Sequence, residues 1–241
     1  MIPVIKPQWP APERVCAIST TRVGGVSQGA WRSLNLGSNC GDVPGDVFEN
    51  QKRLGECLPA PVQWLSQVHG NTCLKHNGSR IQGDEADAVF SAQVGQVCAV
   101  LSADCLPVLF TDINGNQVAA AHAGWRGLAA GVLANTITAM DCEPNNLMAW
   151  LGPCIGPDKY EVGFEVRDAF LQVDPTSHIA FRASGTAWLA DMNLLAKQQL
   201  ENAGVTKIFG GNYCTFSESD KFFSFRRDGL TGRMATLIWL N

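Results

Sequence analysis

Three residues of this chain combine soft-metal donors with unusual surroundings. It has four histidines and nine cysteines. His69 ends an apolar run in Gln67-Val68-His69-Gly70, and Cys105 sits in Ser102-Ala103-Asp104-Cys105-Leu106-Pro107. His122 lies in Ala119-Ala120-Ala121-His122-Ala123-Gly124, where small side chains leave room around the imidazole. Two imidazoles and a thiolate make a three-ligand set that suits zinc and keeps a fourth position for water or substrate, the catalytic arrangement. The set lacks the regular spacing of CxxC or HExxH. From spacing alone, a packed core cysteine beside two satisfied histidines is the favoured reading.

The elements that must position these donors can be partly derived. Asn114-Gly115 is a strong hairpin signal, because both turn positions favour positive φ. A hairpin centred there sets His122 opposite Pro107, with Cys105 its diagonal neighbour on the same face. Diagonal side chains lie about 7–8 Å apart at most, close enough to share one ion. Pro107 cannot donate to the ladder, so pairing is expected to fray there and open a pocket. His69 must come from a separate strand, expected at Val62–His69.

The wider pattern reads as short strands at Arg14–Thr21, Ala86–Ser91, Leu147–Leu151, Lys207–Gly210, Phe222–Arg226 and Arg233–Leu240. Helices are expected over 46–57, Gly124–Met140, Glu165–Val173 and Met192–Ala203, the last stopped by Gly204. Strict βαβ alternation is missing. An α/β fold of the α+β type, a layered sandwich of mixed β-sheets flanked by helices, fits this order. Residues 1–241 show no repeat or linker and read as a single domain. Apolar residues are 46% of the chain and charged residues 17%, a globular and not a disordered profile. A net charge of −4 argues against a general nucleic-acid binder. Odd, irregularly spaced cysteines favour a reducing compartment. No stretch approaches membrane length. The expected setting is cytoplasmic, with no membrane and no nucleic-acid partner.

Taken together, several segments resemble the YfiH family, also called the polyphenol oxidase or laccase-domain family. They are Ser19-Thr20-Thr21-Arg22-Val23-Gly24-Gly25-Val26-Ser27, Ser33-Leu34-Asn35-Leu36-Gly37, Gln67-Val68-His69-Gly70, Ala103-Asp104-Cys105-Leu106-Pro107, His122-Ala123-Gly124-Trp125-Arg126-Gly127, Gly152-Pro153-Cys154-Ile155-Gly156 and Phe225-Arg226-Arg227-Asp228. They run in family order along essentially the whole chain. The resemblance implies a zinc site at His69, Cys105 and His122. It also implies phosphorolysis of adenosine, inosine, guanosine and methylthioadenosine, and adenosine deamination. Some members look like peptidoglycan-editing enzymes that remove serine from a UDP-linked muramyl precursor. The laccase name implies copper and phenol oxidation, but a four-copper enzyme needs more imidazoles than the two that remain. The chain departs from the family at Gln51, where Asn50 is usually followed by arginine.

On this reading the partners are a small nucleoside and phosphate, and the chain is a monomer or weak homodimer. Cys105 and His122 carry the chemistry, and Asp104 is the candidate proton shuttle, provided the backbone is irregular there. Arg22, Arg53 and Arg126 are the candidates for phosphate, since guanidinium matches its oxygens bidentately. The Gly24-Gly25 amides could also face an anion. Asn35 is a candidate for ribose. A cysteine hydrolase with Cys105 as nucleophile and a histidine base is the competing class. Arg226 and Arg227 read as structural or rim residues, Cys154 as packing, and His76 and His178 as exposed.

Overall fold

A computed structural model describes residues 2–241. Its strands are β1 (Val4–Ile5), β2 (Val15–Thr20), β3 (Cys73–Lys75), β4 (Ala88–Ser91), β5 (Cys98–Ser102), β6 (Leu106–Asp112), β7 (Val118–Ala123), β8 (Leu147–Leu151), β9 (Glu161–Val162), β10 (Phe181–Ser184), β11 (Ala187–Ala190), β12 (Lys207–Gly210) and β13 (Met234–Leu240). Its α-helices are α1 (Pro44–Gly55), α2 (Trp125–Ala129), α3 (Val132–Ala139), α4 (Phe164–Val173), α5 (Met192–Asn202) and α6 (Phe225–Asp228). A six-stranded mixed sheet runs β12-β8-β6-β7-β4-β3, a four-stranded sheet β1-β2-β13-β5, and a small one β10-β11-β9. The architecture is therefore the α/β layered sandwich expected. No described helix is long and apolar enough to cross a membrane.

The period-2 alternation of strand side chains decides which layer each residue meets. On β7, Ala119, Ala121 and Ala123 face the core shared with α3, α4 and α5. Val118 and Ala120 face the other way, into a core shared with Cys98, Val100, Ile238 and Leu240 of the four-stranded sheet. His122 continues this second row. On β6, Leu109 belongs to the same row, and Pro107 and Cys105 extend it. Both donors thus point between the two large sheets, at the end where the strands run out.

The β6–β7 register is the expected one, with Pro107 opposite His122 and Thr111 opposite Val118. The turn differs. Only Gly115 takes positive φ (+67°), and its N–H donates to the Asp112 carbonyl at 2.9 Å. The Asp112 carboxylate accepts from the backbone N–H groups of Asn114, Asn116 and Gln117. This carboxylate-closed loop replaces the two-residue turn and keeps the register.

Other expectations need correction. Gly124–Met140 is two helices, because Gly131 sits at φ +86° between them. Phe222–Arg226 is not a strand. Ser224 accepts from the Arg227 N–H and caps the short α6. Val62–His69 is not a strand either: it makes one bridge, Ser66 to Glu85, and His69 turns at φ +60°.

Candidate metal centre

The carboxylate of Asp87 organises the site. Asp87 directly precedes β4 and is fully buried. It accepts from the backbone N–H groups of Val68 (3.2 Å), His69 (3.0 Å) and Gly70 (2.6 Å). These bonds hold the segment bearing His69 in its left-handed turn, where the absence of a strand would otherwise leave it loose. The same carboxylate lies 2.8 Å from Nδ1 of His122. That bond keeps a proton on Nδ1, so Nε2 is the nitrogen left to meet a metal once its own proton is displaced.

One donor atom from each of His69, Cys105 and His122 lies within 4.8 Å of the others. His69 Nε2 is 3.9 Å from Cys105 Sγ, and the two imidazole rings meet edge to face at 4.9 Å. Metal bonds of about 2.0 Å to nitrogen and 2.3 Å to sulfur would draw this triangle, at most 4.8 Å wide, inward on binding. The donor set, its spacing and the carboxylate behind His122 all fit a divalent ion.

The electrostatics agree. Burial pushes the Cys105 thiol up, but the His122 imidazole and the hydrogen bonds to both histidines outweigh it and bring it down to about 6. Burial pushes His122 down, yet the Cys105 thiolate and Asp87 raise it to about 9. Burial likewise opposes ionisation of Asp87, and the bonds from His122, Gly70 and Val68 hold it below the usual carboxylate range. The thiolate a metal needs is therefore stabilised before any ion arrives.

Gly124 makes room for the cluster. A Cβ there would stand 2.8 Å from Cδ2 of His69 and 3.2 Å from Cys105 Sγ. Gly124→Ala is thus expected to push two donors apart and weaken metal binding about 10- to 100-fold. Its φ is −65°, so the backbone itself tolerates alanine. A competition titration with a chromophoric chelator measures the affinity, and an unchanged value would contradict this packing.

The three donors line a cavity of about 640 Å³, together with Gln51, Trp64 and Arg233. The other residues singled out from the sequence are distributed differently. The backbone at Asp104 is irregular, with φ +95°, which meets the condition set for it. Its oxygens, however, accept from Thr215 Oγ1, Ser224 Oγ and the Arg226 N–H. It ties the α6 end of the chain to the site, with its carboxylate engaged by all three donors. Arg22 donates to the carbonyls of Arg32 and Ser219 and lies over Phe223. Asn35 is buried among Gly37, Asp42 and Arg233. Arg53 pairs with Glu49 and reaches the Gly24 carbonyl. The Gly24 and Gly25 N–H groups both donate to Ser33 Oγ, so they are not open to an anion. Arg126 is exposed, its guanidinium 4.4 Å from the Trp125 ring centroid.

His76 is buried, not exposed, and His178 is exposed as expected. Cys154 is fully buried packing. Sequence reasoning missed Asp87, although a lone carboxylate in the apolar run Ala86–Ser91 was a readable signal. It also missed Arg233, which looks like the first residue of a strand.

The sequence and fold place the chain in a class with known members. Residues 16–241 match the family model described as multi-copper polyphenol oxidoreductase laccase. The chain is 54% identical, over the full length of both, to the purine nucleoside phosphorylase YfiH of Escherichia coli. It is 49% identical to the purine nucleoside phosphorylase PA4543 of Pseudomonas aeruginosa over 98% of each chain. Among solved structures it resembles the Neisseria meningitidis protein NMB0706, with a TM-score of 0.96 and 48% identity over 99% of each chain. YlmD of Geobacillus stearothermophilus superposes with a TM-score of 0.90 at 32% identity, over 99% of this chain and 100% of that one. The chain belongs to the YfiH, laccase-domain family.

Proposed function

We propose that residues 1–241 form one catalytic domain, a zinc-dependent purine nucleoside phosphorylase acting on adenosine, inosine, guanosine and methylthioadenosine. The observation that carries this reading is the His69–Cys105–His122 triangle opening onto one cavity, in a chain 54% identical end to end to a purine nucleoside phosphorylase. In phosphorolysis a phosphate oxygen bonds to C1′ of the ribose as the C1′–N bond breaks. The proton of hydrogen phosphate ends on the departing base. His69, Cys105 and His122 would hold a divalent ion, which would supply Lewis-acid chemistry when bound. The chain's own part is to hold that position rigid: Asp87 fixes both histidines, and Cys105 contributes the anionic donor.

Among the described residues this is the one His/Cys/Asp/Glu cluster within reach of an ion. His76 and His178 stand outside it. That favours a single metal and not a multi-copper oxidase. Deamination of adenosine at the same site needs a proton carrier, and Asp104 serves only by giving up its bonds to Thr215, Ser224 and Arg226.

The test is to supply adenosine with and without inorganic phosphate and separate the products. Phosphate-dependent adenine is expected as the main product, with inosine lesser. Adenosine left unconverted by the metal-loaded protein would overturn the proposal. The lowered Cys105 thiol beside a raised His122 favours one second reading, hydrolysis by a nucleophilic thiolate. Activity that survives chelation and is lost on alkylation would establish that alternative.

A further inference from the structure

The cavity that holds the metal donors has a second chemical feature. Its lining includes no aspartate or glutamate and a single permanent cation, Arg233. The guanidinium has no carboxylate partner among the described residues. Its one recorded side-chain anchorage is through Nη1, which donates to the carbonyls of Thr231 (2.8 Å) and Gly232 (3.0 Å). Nε and Nη2 carry no hydrogen bond among the described residues. These two edges together can donate side by side to an anion's oxygens.

The rest of Arg233 is clamped. Its N–H donates to Asn35 Oδ1, and its carbonyl accepts from the Leu36 N–H. Its stem lies against Gly37, where a Cβ would meet Arg233 Cγ at 2.6 Å. Its charge lies near the Phe225 ring, 5.9 Å from the centroid. The arginine is thus held in place before a ligand arrives, which lowers the entropy lost on binding. Ser38 and Asn39 line the same cavity and offer a hydroxyl and an amide for further oxygens, while Gln51 Nε2 already donates to the Leu36 carbonyl at 2.9 Å.

We propose that Arg233 is the anchor for the phosphate co-substrate; Arg22, Arg53 and Arg126 do not line this cavity. This rests on the phosphorylase reading for its substrate, but the binding it asserts can be measured without turnover. Inorganic phosphate is titrated calorimetrically into the metal-loaded wild type, Arg233→Gln and Gln51→Glu. Arg233→Gln removes the charge, and Gln51→Glu keeps the Arg233 charge but exchanges the amide that donates to the Leu36 carbonyl for a carboxylate in the cavity. Each variant is expected to bind phosphate about 10- to 100-fold more weakly.

In the product assay both should raise KM for phosphate by a similar factor, with KM for adenosine within about twofold of wild type. Should Arg233→Gln fail to fold, Gln51→Glu carries the test alone. Unchanged phosphate affinity in the folded variants would overturn the assignment while leaving a phosphate-dependent wild type intact. Phosphate binding that depends on Arg233 in a wild type without phosphorolysis would support the anchor and remove the phosphorylase. If the variants lose affinity only for a phosphate ester such as adenosine 5′-monophosphate, the anchor for inorganic phosphate is overturned.

Discussion

Cys105→Ala is expected to abolish stoichiometric metal binding and to lower phosphorolysis on the order of a thousandfold or more. The three donors come from three separate segments, and Cys105 is the only anionic one in contact distance. Without it, two neutral imidazoles remain to hold a dication, too few for a stable site. The fold should survive. Cys105 is half-buried on a cavity wall, so the missing sulfur opens no sealed void. His122 keeps its bond to Asp87. Elemental analysis of the purified variant, beside its thermal unfolding in chelator, separates these effects. One equivalent of metal retained, or activity within tenfold of wild type, would refute the role assigned to the thiolate.

Asp87→Asn should damage both the metal centre and the fold. The carboxylate accepts from one imidazole and three backbone N–H groups. An asparagine keeps one acceptor oxygen and turns an NH₂ group toward donors. At least one buried donor is then left facing another donor. A penalty of about 3 kcal/mol follows for a fully buried charged acceptor. In a chain of this length that lowers Tm by roughly 10 °C. Metal affinity should drop about 10- to 100-fold, because the Nδ1 proton of His122 is no longer held by an anion. The wild-type carboxyl titrates below its ordinary range. Its contribution is therefore present at neutral pH and fades as pH falls through that depressed value, so the two Tm values should converge in acid. A variant with wild-type Tm at neutral pH would show that Asp87 does not organise this segment.

Much of this was readable in the residues, and the exceptions have physical causes. The hydrophobic pattern and Asn114-Gly115 together placed His122 opposite Pro107, because register depends on which face is buried. The turn chemistry was less legible, since the Asp112 carboxylate substitutes side-chain acceptors for a tight backbone turn. Val62–His69 reads as a strand by composition, yet a carboxylate from before β4 captures its end and takes its N–H groups. That is a long-range contact with no local signal. The three candidate donors stand together as the resemblance implied, whereas spacing alone favoured a packed cysteine beside two histidines. The arginines were harder, because a guanidinium in sequence does not show whether carbonyls already hold it. Arg22 and Arg53 are so held, and Arg233 retains two free edges. The irregular backbone at Asp104 could be posed from sequence only as a condition, and its partners lie more than a hundred residues away at Thr215, Ser224 and Arg226.

The most direct test is to titrate zinc back into chelated protein while following phosphate-dependent release of adenine from adenosine. A single metal centre at His69, Cys105 and His122 predicts a linear rise that saturates at one equivalent per chain. Full activity before any metal is added, or a rise that continues through several equivalents, would contradict it.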